Sequence, residues 1–275
     1  MTSSTLPSRA WCLAGVAMVI SLRVGVWAFR SLNVARSGGR SRLLGSARRS
    51  STNADQGPDL ANLRENYVSA GIDENSLPSE PHELMAKWIE DACQSKEVIE
   101  PNAMCLCTVG EEGRPSARFV LMKGFDERGV TWYTNYNSRK SKELEKYPYA
   151  AITFWWGALH RSIRLEGEVA MVSDEESNTY FNCRPLGSKI GAWVSDQSEP
   201  IGSRQELDAK AKKIEESFVA EENVPRPPHW GGFRLRPTRV EFWEGQPSRL
   251  HDRFVYSQGD GADGGEKWAI TRLQP

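Results

Sequence analysis

Two arginines, a histidine, an aspartate and a tryptophan are concentrated in eleven residues near the C-terminus, Trp243-Glu-Gly-Gln-Pro-Ser-Arg249-Leu-His251-Asp252-Arg253. Alternate side chains of an extended strand share a face, so this segment is predicted to place Arg249, His251 and Arg253 together. Two permanent cations beside a titratable ring suit an anionic ligand with proton chemistry next to it. The alternative is a solvent-exposed strand edge in which Asp252 pairs with an arginine.

A second basic segment, Asn135-Tyr-Asn-Ser-Arg139-Lys140-Ser-Lys142, runs from a predicted strand into a predicted helix. Three cations in a first helical turn oppose the helix dipole, at a cost of ~0.3–1 kcal/mol each. A bound phosphate would remove that conflict, because it would use the free amides, the hydroxyls and the cations together. The alternative is a solvated basic turn.

A further anion site is suggested by Tyr180 and Arg184, which are four residues apart and share a helix face, with Ser188 just beyond. The alternative places Tyr180 in the core and leaves Arg184 as a cation at a helix end. Arg118 and Lys123 stand near the two ends of one predicted strand and supply two more cations. The residues alone therefore predict two sites for phosphorylated small molecules.

The charge distribution argues against a nucleic-acid partner. The 275 residues have a net charge of −1, but residues 1–54 contain eight arginines and no Lys, Asp or Glu. The remaining residues are therefore acidic, with 27 Lys and Arg against 36 Asp and Glu. The sequence contains no Cys-x-x-Cys pair or zinc spacing, no phosphate-binding Gly-Lys-Ser/Thr loop and no dinucleotide-binding glycine motif, so none of these sites is expected.

Residues 1–54 have the composition of an organellar transit peptide, rich in Arg and Ser and free of acids. The apolar run from residue 10 to 22 leaves a signal segment as the second interpretation and a membrane anchor as the third. We expect a mitochondrial or plastid protein, with the cytoplasm as the alternative and without a membrane partner. A flexible arm is predicted over residues 55–80 and one domain over residues 81–275.

The periodicity predicts a mainly β fold with helical additions. Short apolar runs with turn signals between them predict strands at residues 103–109, 117–123, 130–136, 150–156, 162–172, 232–235, 239–244, 250–256 and 267–273. Helices are predicted near residues 60–68, 81–95, 174–182, 188–194 and 203–220. Because little helix separates most strands, an antiparallel barrel is favoured over a parallel sheet.

Six segments in this order carry a family resemblance: Arg118-Phe-Val-Leu-Met-Lys123, Tyr133-Thr-Asn-Tyr-Asn-Ser-Arg139-Lys140, Tyr180-Phe-Asn-Cys-Arg184-Pro, Ser188-Lys-Ile-Gly-Ala, Gln197-Ser198 and Phe242-Trp-Glu-Gly-Gln-Pro-Ser-Arg249-Leu-His-Asp-Arg253. The chain resembles the pyridoxine (pyridoxamine) 5′-phosphate oxidases over roughly residue 60 to the C-terminus. The resemblance implies an FMN-binding split β-barrel and a homodimer with its sites at the interface. It also implies oxidation of pyridoxine or pyridoxamine 5′-phosphate by O2 to pyridoxal 5′-phosphate, with H2O2 released and NH3 from the amine.

The resemblance also assigns residues. FMN would be held by Arg118, Phe119, Val120, Leu121, Tyr133, Thr134, Arg139, Lys140, Gln197, Ser198, Trp243 and Arg253, with Ser162 at a further flavin position. The substrate would be bound by Lys123, Tyr180, Arg184 and Ser188 at its phosphate, by Arg249 and His251 at its ring, and by Arg64 and Tyr67 of the arm. Arg249 and His251 are the catalytic candidates.

Position 162 departs from the family pattern, because serine replaces a glutamine that contacts the flavin. The shorter side chain does not reach as far, so we expect weaker FMN affinity and retained activity. Two other functions remain open at this point. One is a non-catalytic carrier or sensor of flavin or pyridoxal phosphate, and the other is a split-barrel flavin oxidoreductase with a different substrate; the two intact sites argue against both.

Overall fold

The computed structural model describes residues 60, 63, 65–218, 224–260 and 266–275. The predicted targeting segment and the arm residue Arg64 lie outside these residues. The chain divides into two compact units, Met1–Glu65 and Asn66–Pro275, and the second contains every helix and strand named below.

The second unit is mainly β. Its strands are β1 (Ala103–Val109), β2 (Pro115–Leu121), β3 (Gly124–Asp126), β4 (Gly129–Asn135), β5 (Tyr149–Trp156), β6 (Arg161–Met171), β7 (Trp230–Glu244), β8 (Asp252–Asp260) and β9 (Glu266–Arg272). Its α-helices are α1 (Pro81–Gln94), α2 (Arg139–Lys146), α3 (Asp174–Asn182), α4 (Leu186–Val194) and α5 (Arg204–Ser217).

The described strands belong to one antiparallel sheet around the main hydrophobic core, and two smaller clusters lie at Phe181 and Ile190. The strand order is β2-β1-β5-β6-β7-β4-β3, and β8 joins β7 and β9 outside this path. Strand β5 alternates in burial, so Ile152 and Phe154 point inward and are fully buried. Helix α1 closes the core through Trp88, whose ring meets Phe242 of β7 edge-on at 5.3 Å.

Strand β7 has three neighbours. Along one edge it pairs with β6; along the other, residues 230–235 pair with β4 and residues 239–244 pair with β8. The change of partner lies at Pro237, which has no N–H to donate to a ladder. A bulge at the same level, between Glu166 and Gly167 of β6, accommodates Thr238, whose hydroxyl donates to the Glu166 carbonyl at 3.3 Å. The sheet therefore splits at this point.

The structure confirms most predicted elements and corrects three. The two strands predicted at residues 232–235 and 239–244 are one strand, because the bulge at Thr238 lets it continue past Pro237. No helix is present over residues 65–68; this segment instead precedes Ser69, whose hydroxyl donates to the Gly245 carbonyl. Strand β8 begins at Asp252 rather than at residue 250. Among the described helices, none is long and apolar enough to cross a membrane.

Glycine at position 129 is required by the split in the sheet. Its φ is +123°, and a Cβ there would stand 1.9 Å from the Leu235 carbonyl oxygen. Gly129→Ala is therefore expected to lower the free energy of unfolding by about 3 kcal/mol or more, measured by urea denaturation. Gly124→Ala in the adjacent strand is the matched control, because its Cβ would meet no atom within 4 Å. Equal stability of the two variants would contradict this account.

Candidate active site

A pocket of about 490 Å³ brings most of the predicted site residues together. It lies between β2, β4, the start of α2, and α3 with α4. Its lining residues are Arg118, Phe119, Val120, Leu121, Lys123, Tyr133, Thr134, Asn135, Lys140, Tyr180, Arg184, Ser188, Gly191, Ala192, Ser195, Gln197 and Trp230. These residues include four cations and no carboxylate, so the pocket is suited to an anionic ligand.

Lys140 is buried at one end of this pocket. Its ammonium donates to the side-chain oxygen of Gln197 at 2.6 Å and to the hydroxyls of Thr134 and Ser138 at 3.1 and 3.2 Å. Burial and the nearby Arg118 guanidinium lower the pKa of Lys140 to about 8. A bound anion at this position would favour the charged ammonium. Because the described lining contains no carboxylate, that anion would have to come from a ligand.

Arg118 is held in place by a buried carboxylate behind the pocket wall. Its guanidinium donates to the Ser116 hydroxyl at 2.6 Å and to Glu143 at 3.0 Å, and it also reaches Thr108. Arg139, one turn before Glu143 on α2, donates to the other oxygen of the same carboxylate at 2.8 Å. Glu143 thus joins two predicted phosphate ligands. The sequence reasoning missed it because nothing in its spacing shows that Thr108 and Arg118 lie beside α2.

The second predicted anion set forms the other end of the pocket. Lys123, Tyr180, Arg184 and Ser188 all line it. Burial and the neighbouring Arg184 lower the pKa of Lys123. The Arg184 guanidinium lies 4.5 Å from the Trp230 ring, and its buried Nη1 has no hydrogen-bond partner in the described part of the chain. A phosphate would satisfy such a donor.

Aromatic rings connect the two ends. Tyr133 stacks on Tyr180 with centroids 4.0 Å apart and on Trp230 with centroids 5.5 Å apart. Burial raises the pKa of Tyr133 to about 12, so its hydroxyl remains protonated. The sequence did not indicate Trp230 as a site residue. Only the pairing of β4 with β7, with Asn135 opposite Trp230, brings this ring beside Tyr133.

Three more predicted residues, Tyr67, Trp243 and His251, form a second group, centred on Trp243 of β7. The His251 ring lies 4.7 Å from the Trp243 ring, and Tyr67 contacts both at 5.7 and 5.9 Å. His160, also unanticipated, lies 4.6 Å from Tyr67 and adopts a left-handed backbone with φ +52°. We call Tyr67, His160, Trp243 and His251 the aromatic cluster. None of its members lines the pocket.

The structure corrects the geometry expected for Arg249, His251 and Arg253. Residues Pro247–Arg249 form a 3₁₀ turn with positive φ at Ser248 and Arg249, so these three side chains do not alternate along one strand. Arg249 is exposed on the turn, whereas Arg253 lies on β8 opposite Trp243. Arg253 pairs with Glu241 at 2.8 Å. As the alternative interpretation expected, Asp252 pairs with an arginine, Arg272, at 2.7 Å.

His251 is set to be neutral with a defined tautomer. The Gln246 amide donates to its Nδ1 at 3.0 Å, so the proton of the neutral ring is on Nε2. Burial and the adjacent Arg249 lower its pKa. A neutral ring with a free Nε2–H can donate a hydrogen bond to a ligand oxygen.

Three further predicted residues, Arg139, Ser162 and Ser198, lie outside the pocket lining. Ser198 has φ +78° and its hydroxyl accepts from the Arg139 amide at 3.2 Å, so it lies beside the first turn of α2. Ser162 lies on β6 between Trp155 and Trp243, and its hydroxyl donates to the Phe154 carbonyl at 2.9 Å.

Comparisons with known proteins identify the family. Residues 89–218 match the pyridoxamine 5′-phosphate oxidase family and residues 230–275 match the C-terminal dimerisation region of pyridoxine 5′-phosphate oxidase. A pyridoxine/pyridoxamine 5′-phosphate oxidase of Burkholderia lata is 50% identical over 78% of this chain and 99% of its own length. One from Methylibium petroleiphilum is 51% identical over 79% and 99%. The chain belongs to the pyridoxamine 5′-phosphate oxidase family.

Membership confirms the expected cofactor and class, since this family consists of FMN-dependent oxidoreductases. Among solved structures, PhzG from Burkholderia lata 383, in complex with tetrahydrophenazine-1-carboxylic acid, has a TM-score of 0.67 at 32% identity, over 73% of this chain and 95% of its own. An FMN-binding protein from Nostoc punctiforme PCC 73102, related to pyridoxamine 5′-phosphate oxidase, has a TM-score of 0.55 at 18% identity, over 73% and 99%. The split-barrel fold is therefore confirmed.

The expected organellar location is wrong. The relatives are bacterial proteins, from Burkholderia, Methylibium and Rubrobacter, together with one from the cyanobacterium Gloeothece citriformis. The expectation had rested on the composition of residues 1–54, which also suits other kinds of N-terminal segment.

The lowered pKa of Lys140 predicts a pH-dependent affinity for FMN. The FMN phosphate would favour the charged ammonium of Lys140. Above about pH 8 the amine is largely neutral in the apoprotein, so FMN binding makes it take up a proton. Above that pH, each further unit should weaken FMN binding by up to about ten-fold, measured by titrating apoprotein with FMN from about pH 6.5 to about pH 9.5. Lys140→Arg stays charged and should give a flat profile. A flat profile for the parent would contradict this role.

Proposed function

We propose that this enzyme oxidises pyridoxine 5′-phosphate and pyridoxamine 5′-phosphate with O2. The product is pyridoxal 5′-phosphate, released with H2O2. The amine also consumes one water, which hydrolyses the oxidised C–N bond and releases NH3. The observation that carries the proposal is the pocket itself, which joins two cationic ends through a wall of stacked aromatic rings. This arrangement suits two phosphorylated ligands bound side by side.

The Lys140 end fits the FMN phosphate. Arg118, Arg139 and Lys140 supply charge, while Thr134, Gln197 and Ser198 supply polar groups around them. The absence of carboxylates from the described lining leaves these cations available to a phosphate, with Glu143 behind them as a fixed support. FMN, when bound, supplies the redox chemistry by accepting a hydride from the substrate.

The Lys123 end fits the substrate phosphate. Arg184 would bind it through the buried Nη1 that has no partner in the described residues, and Lys123 would add a second charge. Tyr180 and Ser188 line the same end. A substrate phosphate fixed at this end, with the FMN phosphate at the Lys140 end, would orient the reacting carbon toward the flavin.

A homodimer would complete the site. Trp243, Arg249, His251 and Arg253 do not line the pocket of their own chain, and Trp230 and Trp243 stand at opposite ends of the fifteen-residue strand β7. The matched dimerisation region, residues 230–275, contains this whole group. We infer that the aromatic cluster of one subunit covers the pocket of the other. The exposed Phe119, 79% accessible at the pocket edge, supplies apolar surface for that contact.

Arg249 and His251 would act on the substrate ring. The exposed guanidinium of Arg249, held on a turn with φ +65°, would orient the ring by donating hydrogen bonds to its oxygen substituents. His251 would orient the 4′ substituent through its Nε2–H, because its Nδ1 is occupied by the Gln246 amide. Tyr67 packs against His251 and would help to exclude water from this side.

One assay tests the proposal. Purified protein is loaded with FMN, its flavin spectrum is recorded, and pyridoxine 5′-phosphate is added under oxygen. Formation of both aldehyde and peroxide is expected. A yellow protein that forms neither would favour the binding-only function and overturn the proposal.

A second substrate class is tested in the same assay, because PhzG resembles this chain and binds a tetrahydrophenazine carboxylic acid. That compound carries no phosphate, whereas Lys123 and Arg184 form a cationic end in this pocket. We therefore expect faster turnover of pyridoxine 5′-phosphate than of a tetrahydrophenazine carboxylate. The reverse order would assign the chain to the phenazine class.

Arg184→Gln is expected to raise the KM for pyridoxine 5′-phosphate about ten- to hundred-fold. The variant loses a charge-assisted hydrogen bond of about 1.5–3 kcal/mol to the substrate phosphate. FMN content, measured by absorbance, should be unchanged, which separates the two ends of the pocket. Arg204→Gln on the exposed face of α5 is the control. A parent-like KM for Arg184→Gln would refute the assignment.

Arg249→Ala is expected to lower kcat/KM about hundred-fold or more with FMN fully bound, because a preorganised cation is lost at the substrate ring. Steady-state kinetics and the flavin absorbance measure the two quantities separately. If kcat/KM remains close to that of the parent enzyme, Arg249 has no catalytic role.

A further inference from the structure

Trp155 lies in one row with Ser162 and Trp243. It belongs neither to the sequence motifs nor to the pocket lining. The row crosses β5, β6 and β7, since Trp155 pairs with Ser162 and Ser162 pairs with Trp243. Directly paired residues point to the same face of a sheet. The two indoles therefore flank the small Ser162 side chain.

The indoles lean toward each other above Ser162. Neighbouring strands are about 4.8 Å apart, so residues two strands apart are separated by roughly 9.6 Å at the backbone. The ring centroids of Trp155 and Trp243 are only 5.8 Å apart. The approach is possible because Ser162 is short and its hydroxyl is turned to the Phe154 carbonyl at 2.9 Å. A longer side chain at position 162 would occupy the space between the rings.

Trp155 remains largely open to solvent in the single chain. Its side chain is 55% exposed, although one of its neighbours, Trp243, belongs to the aromatic cluster. The row thus extends the aromatic surface from His251 through Trp243 to an exposed indole. In the strand order β2-β1-β5-β6-β7, Trp155 lies between the strand that carries Arg118 and the strand that carries Trp243.

We propose that Trp155 is a further flavin-contacting residue, which packs with Trp243 against the conjugated ring system of FMN, and that Ser162 is the small residue that permits this packing. The inference rests on the proposed function. A broad planar ring is the ligand that suits two adjoining indoles, because aromatic faces and edges attract one another beyond simple area burial. Here an aromatic surface takes the place of a polar side chain at position 162.

Trp155→Ala is expected to weaken FMN binding about five- to ten-fold, and Trp155→Phe to stay within about two-fold of the parent. Apoprotein is titrated with FMN and the quenching of flavin fluorescence gives Kd. Tyr149→Ala is the matched control, since Tyr149 is an exposed aromatic on the same face of β5, 47% accessible. An unchanged Kd for Trp155→Ala, or an equal loss in Tyr149→Ala, would overturn the proposal.

Sedimentation of the same variants separates flavin contact from subunit contact. We expect Trp155→Ala to keep the oligomeric state of the parent while it loses FMN affinity. If FMN affinity falls only where the oligomer dissociates, Trp155 serves the subunit interface and the proposal is wrong.

The link to Ser162 is tested by a double-mutant cycle. In a Ser162→Gln background the glutamine occupies the space between the indoles, so Trp155→Ala should weaken FMN binding by less than about two-fold. The same loss in both backgrounds would show that the two positions act independently.

The parent protein distinguishes failure of the proposed function from failure of this inference. If the parent binds no FMN or does not oxidise pyridoxine 5′-phosphate, the proposed function is wrong. If the parent does both and Trp155→Ala has the same FMN Kd, only this inference is refuted.

Discussion

The arrangement of this molecule depends on the pairing of β7 with three strands. One half of its outer edge holds β4, which carries Tyr133 and Thr134 into the pocket; the other half holds β8, which carries Arg253 beside Trp243. The exchange needs a strand residue without a donor, Pro237, and a bulge facing Gly167, where a Cβ would stand 1.9 Å from the Arg236 carbonyl oxygen. The split thus places two groups of chemically active residues at two ends of one strand.

Charge is organised locally in a chain that is acidic overall outside its first 54 residues. The described lining of the pocket contains four cations and no carboxylate. Glu143 pairs with Arg118 behind the pocket wall, and Glu241 pairs with Arg253 on β8. Both carboxylates are nearly inaccessible to solvent. Such pairs hold guanidiniums in one orientation, which matters more for a binding site than for stability. Burial and the nearby Arg118 guanidinium lower the pKa of Lys140, and Glu143 offsets this only in part.

The sequence determined the local elements and predicted most of the residues that line the pocket. Period-two apolar runs located β1 and β5 to within a residue, and the helical spacing after Pro81 located α1, because burial alternates with the geometry of each element. The motifs singled out Arg118, Lys123, Lys140 and Arg184 as candidate phosphate ligands, and the structure gathers all four in one pocket. Composition gave a wrong prediction only for cellular location, which was inferred from residues 1–54.

Only the tertiary structure decided which residues meet. Long-range pairing brings Glu143 to Arg118, Trp230 to Tyr133 and Trp155 to Trp243, and sequence spacing does not encode these contacts. The turn at Pro247–Arg249 likewise removed the common face expected for Arg249, His251 and Arg253, because Ser248 and Arg249 adopt positive φ. The physical reason is the same in each case: residue type and spacing set local conformation, whereas the partners of a side chain depend on strand order and register across the whole sheet.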